Sequence, residues 1–331
     1  MAEEIITIDS KKFNKYLHHI DLKEFGTPKV LSSFIAEFDE CSLFLDCGTS
    51  IEVKRVLRYA KQNDISLSKV KYLITTHHHF DHCGGMWKLY DKIKEFNPEV
   101  KILTNNQTKI LLNDYESHLN RAKRTFGRFS GIMNPIEEKA FKIISPTVDF
   151  NSNLETMTVI DKFMLNETEV KLAILSTPGH THDHQSPVFI KNGEIDFIFF
   201  GEAAGTLYPT GELITMPTSM PIYFQYKEYM ETLEKLIYLK PLSAGYGHFG
   251  AVSGKENIAT LLLDNKSLMT EFRADIIKYY KEKPETRYVV DKISQKLIDR
   301  AHVHGENHPI NANVMLAITY GMMMDLGYRK E

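Results

Sequence analysis

The stretch that decides the fold is Thr76-His77-His78-His79-Phe80-Asp81-His82-Cys83-Gly84-Gly85. It packs four histidines and an aspartate onto the end of an apolar run, Val70-Lys71-Tyr72-Leu73-Ile74-Thr75. Neutral imidazole and carboxylate are the donors that borderline divalent metals prefer. Imidazoles crowded together are costly as cations, and a metal relieves that cost by taking up their lone pairs. The spacing His-x-His-x-Asp-His followed by Gly-Gly is far more specific than a lone histidine pair.

Outward from this segment the pattern alternates between strands and helices. Upstream, Ser42-Leu43-Phe44-Leu45-Asp46-Cys47-Gly48 reads as a buried strand closed by a tight turn. Ile51 to Asn63 carries Val53, Val56, Leu57 and Ala60 at helical spacing. Downstream, Met86 to Phe96 predicts a helix stopped near Asn97-Pro98, and Lys101 to Thr104 a short strand. The middle is less regular. Ser117 to Gly131 carries Arg121, Lys123, Arg124 and Arg128, which read as a solvated helix face, and its Phe126 and Phe129 suggest a flap over a cleft.

Val170 to Leu175 returns to strand character and runs into Thr177-Pro178-Gly179-His180. Val188 to Ile190 and Phe197 to Phe200 flank a connection containing Asn192-Gly193, a strong hairpin signal because both residues tolerate positive φ. The second of these strands ends at Gly201-Glu202. Tyr226 to Leu239 is helical and Pro241 ends it. A glycine-rich turn then presents His248. Glu256 to Tyr280, Arg287 to Arg300 and Asn311 to Leu326 all read as helices, which predicts a main metal-binding domain over 1–254 and a helical C-terminal extension over 255–331.

Composition narrows the function classes. The chain has 331 residues, 43% hydrophobic and 25% charged, an ordinary globular make-up with ample material for a large core. A formal net charge of -3 supplies no global field for nucleic acid or an anionic membrane. The three cysteines, Cys41, Cys47 and Cys83, form no Cys-x-x-Cys pair, so a reducing, cytoplasmic setting is expected in place of a disulfide framework. No apolar run of signal length opens the chain, and no window approaches the ~20 apolar residues of a membrane span. The expected partner is a small-molecule substrate, with neither membrane nor nucleic acid. Self-association into a homo-oligomer stays open.

The polar residues at strand ends line up with one family. Leu45-Asp46-Cys47-Gly48, the THHHFDHCGG segment, Thr177-Pro178-Gly179-His180-Thr181, Phe200-Gly201-Glu202 and Gly247-His248 occur in the order of the metallo-β-lactamase superfamily motifs, which this chain resembles across roughly residues 42 to 250. The resemblance implies an α/β fold, a four-layer αββα sandwich with the metals at one rim. It implies that His77, His79 and His180 hold a first metal, that Asp81, His82 and His248 hold a second, and that Glu202 takes the place of the bridging carboxylate. Asp46 would orient the metal-binding loop without ligating. The family usually has an aspartate where Glu202 stands. The extra methylene carries the carboxylate farther from the backbone, which places the second metal in question and predicts that Glu202→Asp raises its occupancy.

The implied activity is metal-assisted hydrolysis of an ester, thioester or lactone, with two zinc ions as cofactor and iron or manganese as alternatives. Asp81, ligating and holding the nucleophile's proton, and His184, at a position where members often carry histidine or serine, are placed with the chemistry. For His184, hydrogen bonding behind the ligands is favoured over direct ligation. The lactone-hydrolysing members carry a tyrosine three residues past the bridging carboxylate, where this chain has Gly205 and its nearest tyrosine is Tyr208. The similarity to glyoxalase II-like thioesterases is equally partial, with Lys278, Tyr279, Tyr280 and Lys281 as a stretch that would face a substrate. A single-iron persulfide dioxygenase and a nucleic-acid phosphodiesterase of the same superfamily stay open as alternatives. His78, alternating with His77 and His79, is expected to point elsewhere. His302, His304 and His308 read as an ordinary hydrogen-bonded loop, Tyr246 as either a pocket wall or a structural residue, and Gly321-Met322-Met323-Met324 as helix packing.

Overall fold

The apolar runs around Leu43, Leu73 and Phe197 are nearly continuous because both faces of their strands are covered. In the computed structural model, which describes residues 5–208, 212–301 and 309–330, a short first strand, β1 (Ile6–Thr7), precedes a seven-stranded sheet. That sheet is built in chain order from β2 (Lys11–Lys12), β3 (Leu17–Asp21), β4 (Ser32–Glu37), β5 (Ser42–Leu45), β6 (Val70–Ile74), β7 (Lys101–Thr104) and β8 (Phe141–Ile143). Its first half is antiparallel and β5 to β8 are parallel, linked by helical crossovers. The second sheet uses β9 (Val159–Leu165), β10 (Thr168–Ser176), β11 (Gln185–Lys191) and β12 (Glu194–Phe199). A detached pair, β13 (Thr206–Leu207) and β14 (Thr215–Met216), comes before β15 (Ser243–Tyr246) and β16 (Gly250–Ser253), which complete the order β1-β16-β15-β12-β11-β10-β9. The hairpin between β11 and β12 turns at Asn192 and Gly193, both at positive φ.

Alternation along the strands sorts side chains into layers. Leu43, Leu45, Tyr72 and Ile74 meet Leu172, Ile174, Phe197 and Phe199 between the sheets. Their sequence neighbours Phe44 and Leu73 face the other way, onto helices α1 (Val53–Gln62) and α3 (Met86–Lys94). On the far side, Ala173, Leu175 and Ile198 pack under α6 (Tyr226–Ile237) and three C-terminal helices, α7 (Lys255–Glu282), α8 (Thr286–Arg300) and α9 (Pro309–Asp325). The architecture is therefore the αββα sandwich with C-terminal helices. Those helices share one apolar cluster with the second sheet, through Leu261, Met269, Ile293 and Met322.

Several elements differ from the pattern reading. The N-terminal strands β2 to β4 carried no motif and were not separately expected; the buried polar residues His18, His19, Ser32 and Ser33 interrupt their apolar signal. The irregular middle contains a regular helix, α5 (Glu116–Phe126), preceded by α4 (Asn106–Asn113). Tyr280, expected in the stretch facing substrate, instead stacks on Tyr328 at 4.0 Å with Arg329 over its ring. Tyr246 is buried against Phe200 in the outer cluster of the second sheet, a structural placement. Met322 and Met323 are core, and His302, His304 and His308 lie outside the described residues.

Candidate metal centre

The connections that follow β5, β6, β10, β12 and β15 meet at one rim and are tied there by backbone hydrogen bonds. Cys47 N donates to His82 O at 2.9 Å, Gln185 N to Thr76 O at 2.9 Å, and Gly247 N to Gly201 O at 2.8 Å. Two glycines make the approach possible. A Cβ on Gly201, which sits at φ 56°, would lie 2.8 Å from His184 Nε2, and one on Gly247 would lie 2.6 Å from His82 Cε1. The short helix α2 (Phe80–Cys83) gives Asp81 and His82 their places directly after the two extended ligand positions, His77 and His79.

Seven side chains converge in two groups. Ligand atoms of His77, His79, His180 and Glu202 lie within 4.8 Å of one another, and those of Asp81, His82 and His248 do the same. Glu202 stands between the groups. Its Oε2 is 2.8 Å from His180 Nε2, 3.4 Å from His77 Nε2 and 3.1 Å from His82 Nε2, while Oε1 is 3.8 Å from His248 Nε2. Asp81 Oδ2 lies 3.7 Å from both His82 Nε2 and His248 Nε2. The longer glutamate thus lies near nitrogens of both groups.

The opposite edges of the rings are fixed from behind. His77 Nδ1–H donates to Thr76 Oγ1 at 2.9 Å, and that hydroxyl donates to Asp46 Oδ2 at 2.7 Å. Asp46 also accepts from Thr76 N, His82 Nδ1 and Cys83 Sγ. His180 Nδ1–H donates to Thr218 O at 2.7 Å and His248 Nδ1–H to Val30 O at 2.8 Å. These bonds set the tautomers and turn the Nε2 lone pairs inward. His79 presents the other nitrogen, with Nδ1 at 3.1 Å from His180 Nε2.

The donor set fits a divalent cation. His77 Nε2 is fully buried and makes no hydrogen bond among the described residues, which is costly unless something else takes its lone pair. Burial first, then the neighbouring rings, pushes His77 and His79 well below the ordinary histidine range, so they stand neutral with lone pairs available. For His82, burial pulls the same way, but Asp81, Asp46 and Glu202 outweigh it and hold the ring well above that range. Burial alone would raise Glu202; His180, His77 and His82 hold it well below the usual carboxylate range.

Three further residues buttress the ligands. His78 points away from the cluster, with Nδ1 and backbone N each 2.9 Å from the Asp183 carboxylate, which Thr108 also caps. His184 has both nitrogens engaged: Nε2 accepts from Glu202 N at 3.1 Å and Nδ1 donates to Thr177 Oγ1 at 2.8 Å. Burial pushes it down to about 3, a neutral ring held behind Glu202 and not turned toward a reacting group. His118, from α5, stacks on His79 at 5.4 Å and accepts from Phe80 N. Asp183 stands three residues past His180, in the stretch that also gives His184, whereas no spacing links His118 to the cluster, because it comes from a separate helix, α5.

Comparisons with known proteins place the fold. The family model described as the metallo-beta-lactamase superfamily matches residues 26–248. A metallo-beta-lactamase fold-containing protein of Sulfurisphaera tokodaii is 27% identical over 241 residues, 72% of this chain and 80% of that protein. A probable metallo-hydrolase of Bacillus subtilis is 21% identical over 239 residues, 69% of this chain and 68% of its own. Among solved structures, an archaeal metallo-beta-lactamase superfamily protein from Sulfolobus tokodaii is similar with a TM-score of 0.54 at 23% identity, covering 78% of this chain and 87% of that one, a likeness of fold.

Proposed function

The chain belongs to the metallo-beta-lactamase superfamily, and from that premise we propose that it is a hydrolase with a dinuclear metal centre that cleaves an ester, thioester or lactone. The observation that carries this reading is Glu202 reaching both ligand groups, which makes the two half-sites one continuous centre. A divalent ion held by these residues would supply a water of pKa lowered towards ~7 and a Lewis acid for a carbonyl oxygen.

The chain's own residues supply the rest. Asp81 and His248 are the exposed members of the cluster, at 15% and 14% side-chain exposure against none for His77 and His180, so a substrate enters over the second group. Asp81 then stands where it can hold a proton of the attacking water, as a carboxylate at the cleft's open side. His184 acts on Glu202 from behind as a positioning residue. Cys47 and Cys83 are no substitute nucleophiles, because burial and then Asp46 push both thiols well above their ordinary range.

The complete second group favours this reading over a single-iron persulfide dioxygenase, which needs two histidines and a carboxylate alone. The test is metal analysis of protein purified without added metal, together with a panel of esters, thioesters and lactones. Two divalent ions per chain and chelator-sensitive turnover are expected. One iron per chain with oxygen uptake would overturn the hydrolase reading.

A further inference from the structure

The face of the first sheet that meets the second carries Ile74 on β6 and Leu103 on β7, and it turns polar at its far end. Tyr72 on β6 is the register partner of Lys101 on β7, and Lys142 on β8 is that of Leu103. Alternation therefore puts Lys101 and Lys142 on the inward face with Tyr72 and Leu103. They open onto a cavity of about 510 Å³ at the edge where β8 and β9 are the outermost strands, with Lys69, Lys71 and Lys162 also in its wall. Lysine on an edge strand commonly blunts pairing with another chain. That account does not reach Lys101, which is one strand in from the edge.

The positive charges of the wall are unevenly answered. Lys71 pairs with Asp161 at 2.8 Å and Lys162 with Glu169 at 3.2 Å. Among the described residues, Lys69, Lys101 and Lys142 have no carboxylate partner; their Nζ atoms donate to Asp39 O at 3.3 Å, Lys139 O at 2.9 Å and Tyr72 Oη at 2.6 Å. Burial and the bond that Tyr72 donates to Asp161 hold the phenol well above its ordinary range, so Lys142 meets a neutral oxygen. The two carboxylates of the wall, Glu40 and Glu99, are exposed and pair with none of the five lysines. Lys101 and Lys142 are half-buried, where an ammonium gives up hydration that a counter-charge would restore.

We propose that this cavity binds an oligophosphate anion, a chain of phosphates free or carried by a nucleoside, on Lys69, Lys101 and Lys142. Several ammonium point charges around one hollow suit a ligand whose oxygens carry charge at several positions. A single carboxylate would answer only one of them. The volume lies within the range of small-molecule pockets. The site is separate from the metal rim: Lys71 and Tyr72 stand at the start of β6 and His77 beyond its end, and the strand between them spans about 17 Å.

The test is calorimetric titration of sodium tripolyphosphate and, separately, of adenosine triphosphate into wild type, Lys142→Ala, Lys142→Arg and the double variant Lys101→Ala/Lys142→Ala. Lys227→Ala, on α6 with its side chain exposed, controls for the loss of one charge. Cys41 supplies a second readout, because it lies half-buried in the wall while Cys47 and Cys83 are buried. Wild type and Lys227→Ala are expected to bind tripolyphosphate alike, and Lys142→Ala about 10–100-fold more weakly, the range for a hydrogen bond to a charged group. Lys142→Arg, which keeps the charge, is expected to fall between wild type and Lys142→Ala. Bound tripolyphosphate is expected to slow alkylation of Cys41 in wild type and not in the double variant. Equal affinities for tripolyphosphate and the nucleotide support the free chain as ligand, and tighter binding of the nucleotide supports the nucleoside-borne form. Absence of saturable binding overturns the assignment. So does binding that is equal in wild type and the double variant, or that leaves Cys41 alkylation unchanged, since the anion then sits elsewhere, the metal rim included.

Discussion

Glu202 carries one more methylene than an aspartate, and at this position the difference is used. Its carboxylate lies within 3.1 Å of a nitrogen in each ligand group, at His180 and at His82. Shortening the side chain withdraws the oxygens toward Gly201, so Glu202→Asp is expected to cut metal content from two ions toward one, measured by elemental analysis. This reverses what the sequence alone led one to expect, since length could be read there but not the setting of the backbone. His79→Ala or Asp81→Ala is expected to lower turnover by well over about 100-fold, beyond what loss of a hydrogen-bond partner behind a ligand costs, and to reduce metal content while the far-ultraviolet spectrum stays native. Retained turnover in either would count heavily against the site. The seven converging residues were legible because each stands in a short motif at a strand end. His118 was not, because a supporting role depends on which loops meet, and no local spacing encodes that.

The strands β3 and β4 show how an element couples to pH. His19, on β3, is fully buried, with Nδ1 donating to Asp9 O and Nε2 accepting from Ser32 Oγ. Burial pushes it down to about 4 from 6.5. Below pH 6.5 the unfolded chain therefore binds a proton that the folded chain refuses until about pH 4. Stability from this residue is present above 6.5 and falls as the pH drops through that window, by about 3 kcal/mol at its lower end. His19→Gln is expected to lose less melting temperature than wild type between pH 7 and pH 5; parallel curves would show that the ring does not titrate with unfolding. Elements with strict apolar periodicity, such as β6, β7, α6 and the C-terminal helices, were readable within a few residues. The strands β2 to β4 were not, since buried His18, His19 and Ser33 break the apolar pattern that marks a strand.

Across the whole molecule, the proposed metal centre joins the two sheets. His77, His79, Asp81 and His82 follow β6 of the first sheet, while His180, Glu202 and His248 follow β10, β12 and β15 of the second. Each ligand group draws from both. Elsewhere the sheets hold each other through an aromatic layer, with Phe34 at 5.4 Å from Phe197 and 5.0 Å from Phe199. The two attachments differ in kind: apolar burial acts whether or not an ion is bound, and ligation adds a term set by free metal. An ion present at about 1,000 times its dissociation constant contributes about 4 kcal/mol. Phe34→Ala is expected to cost about 3–5 kcal/mol, the range for emptying a buried aromatic site, with and without metal alike. Chelation is expected to lower the melting temperature of wild type and to raise amide exchange chiefly at residues 76–85, 177–186, 201–203 and 246–249, leaving the strands around Phe34 and Phe197 protected. Chelation that exposed the rim and the aromatic layer equally would mean that the ions hold the whole sandwich, and the independence of the two attachments would be lost.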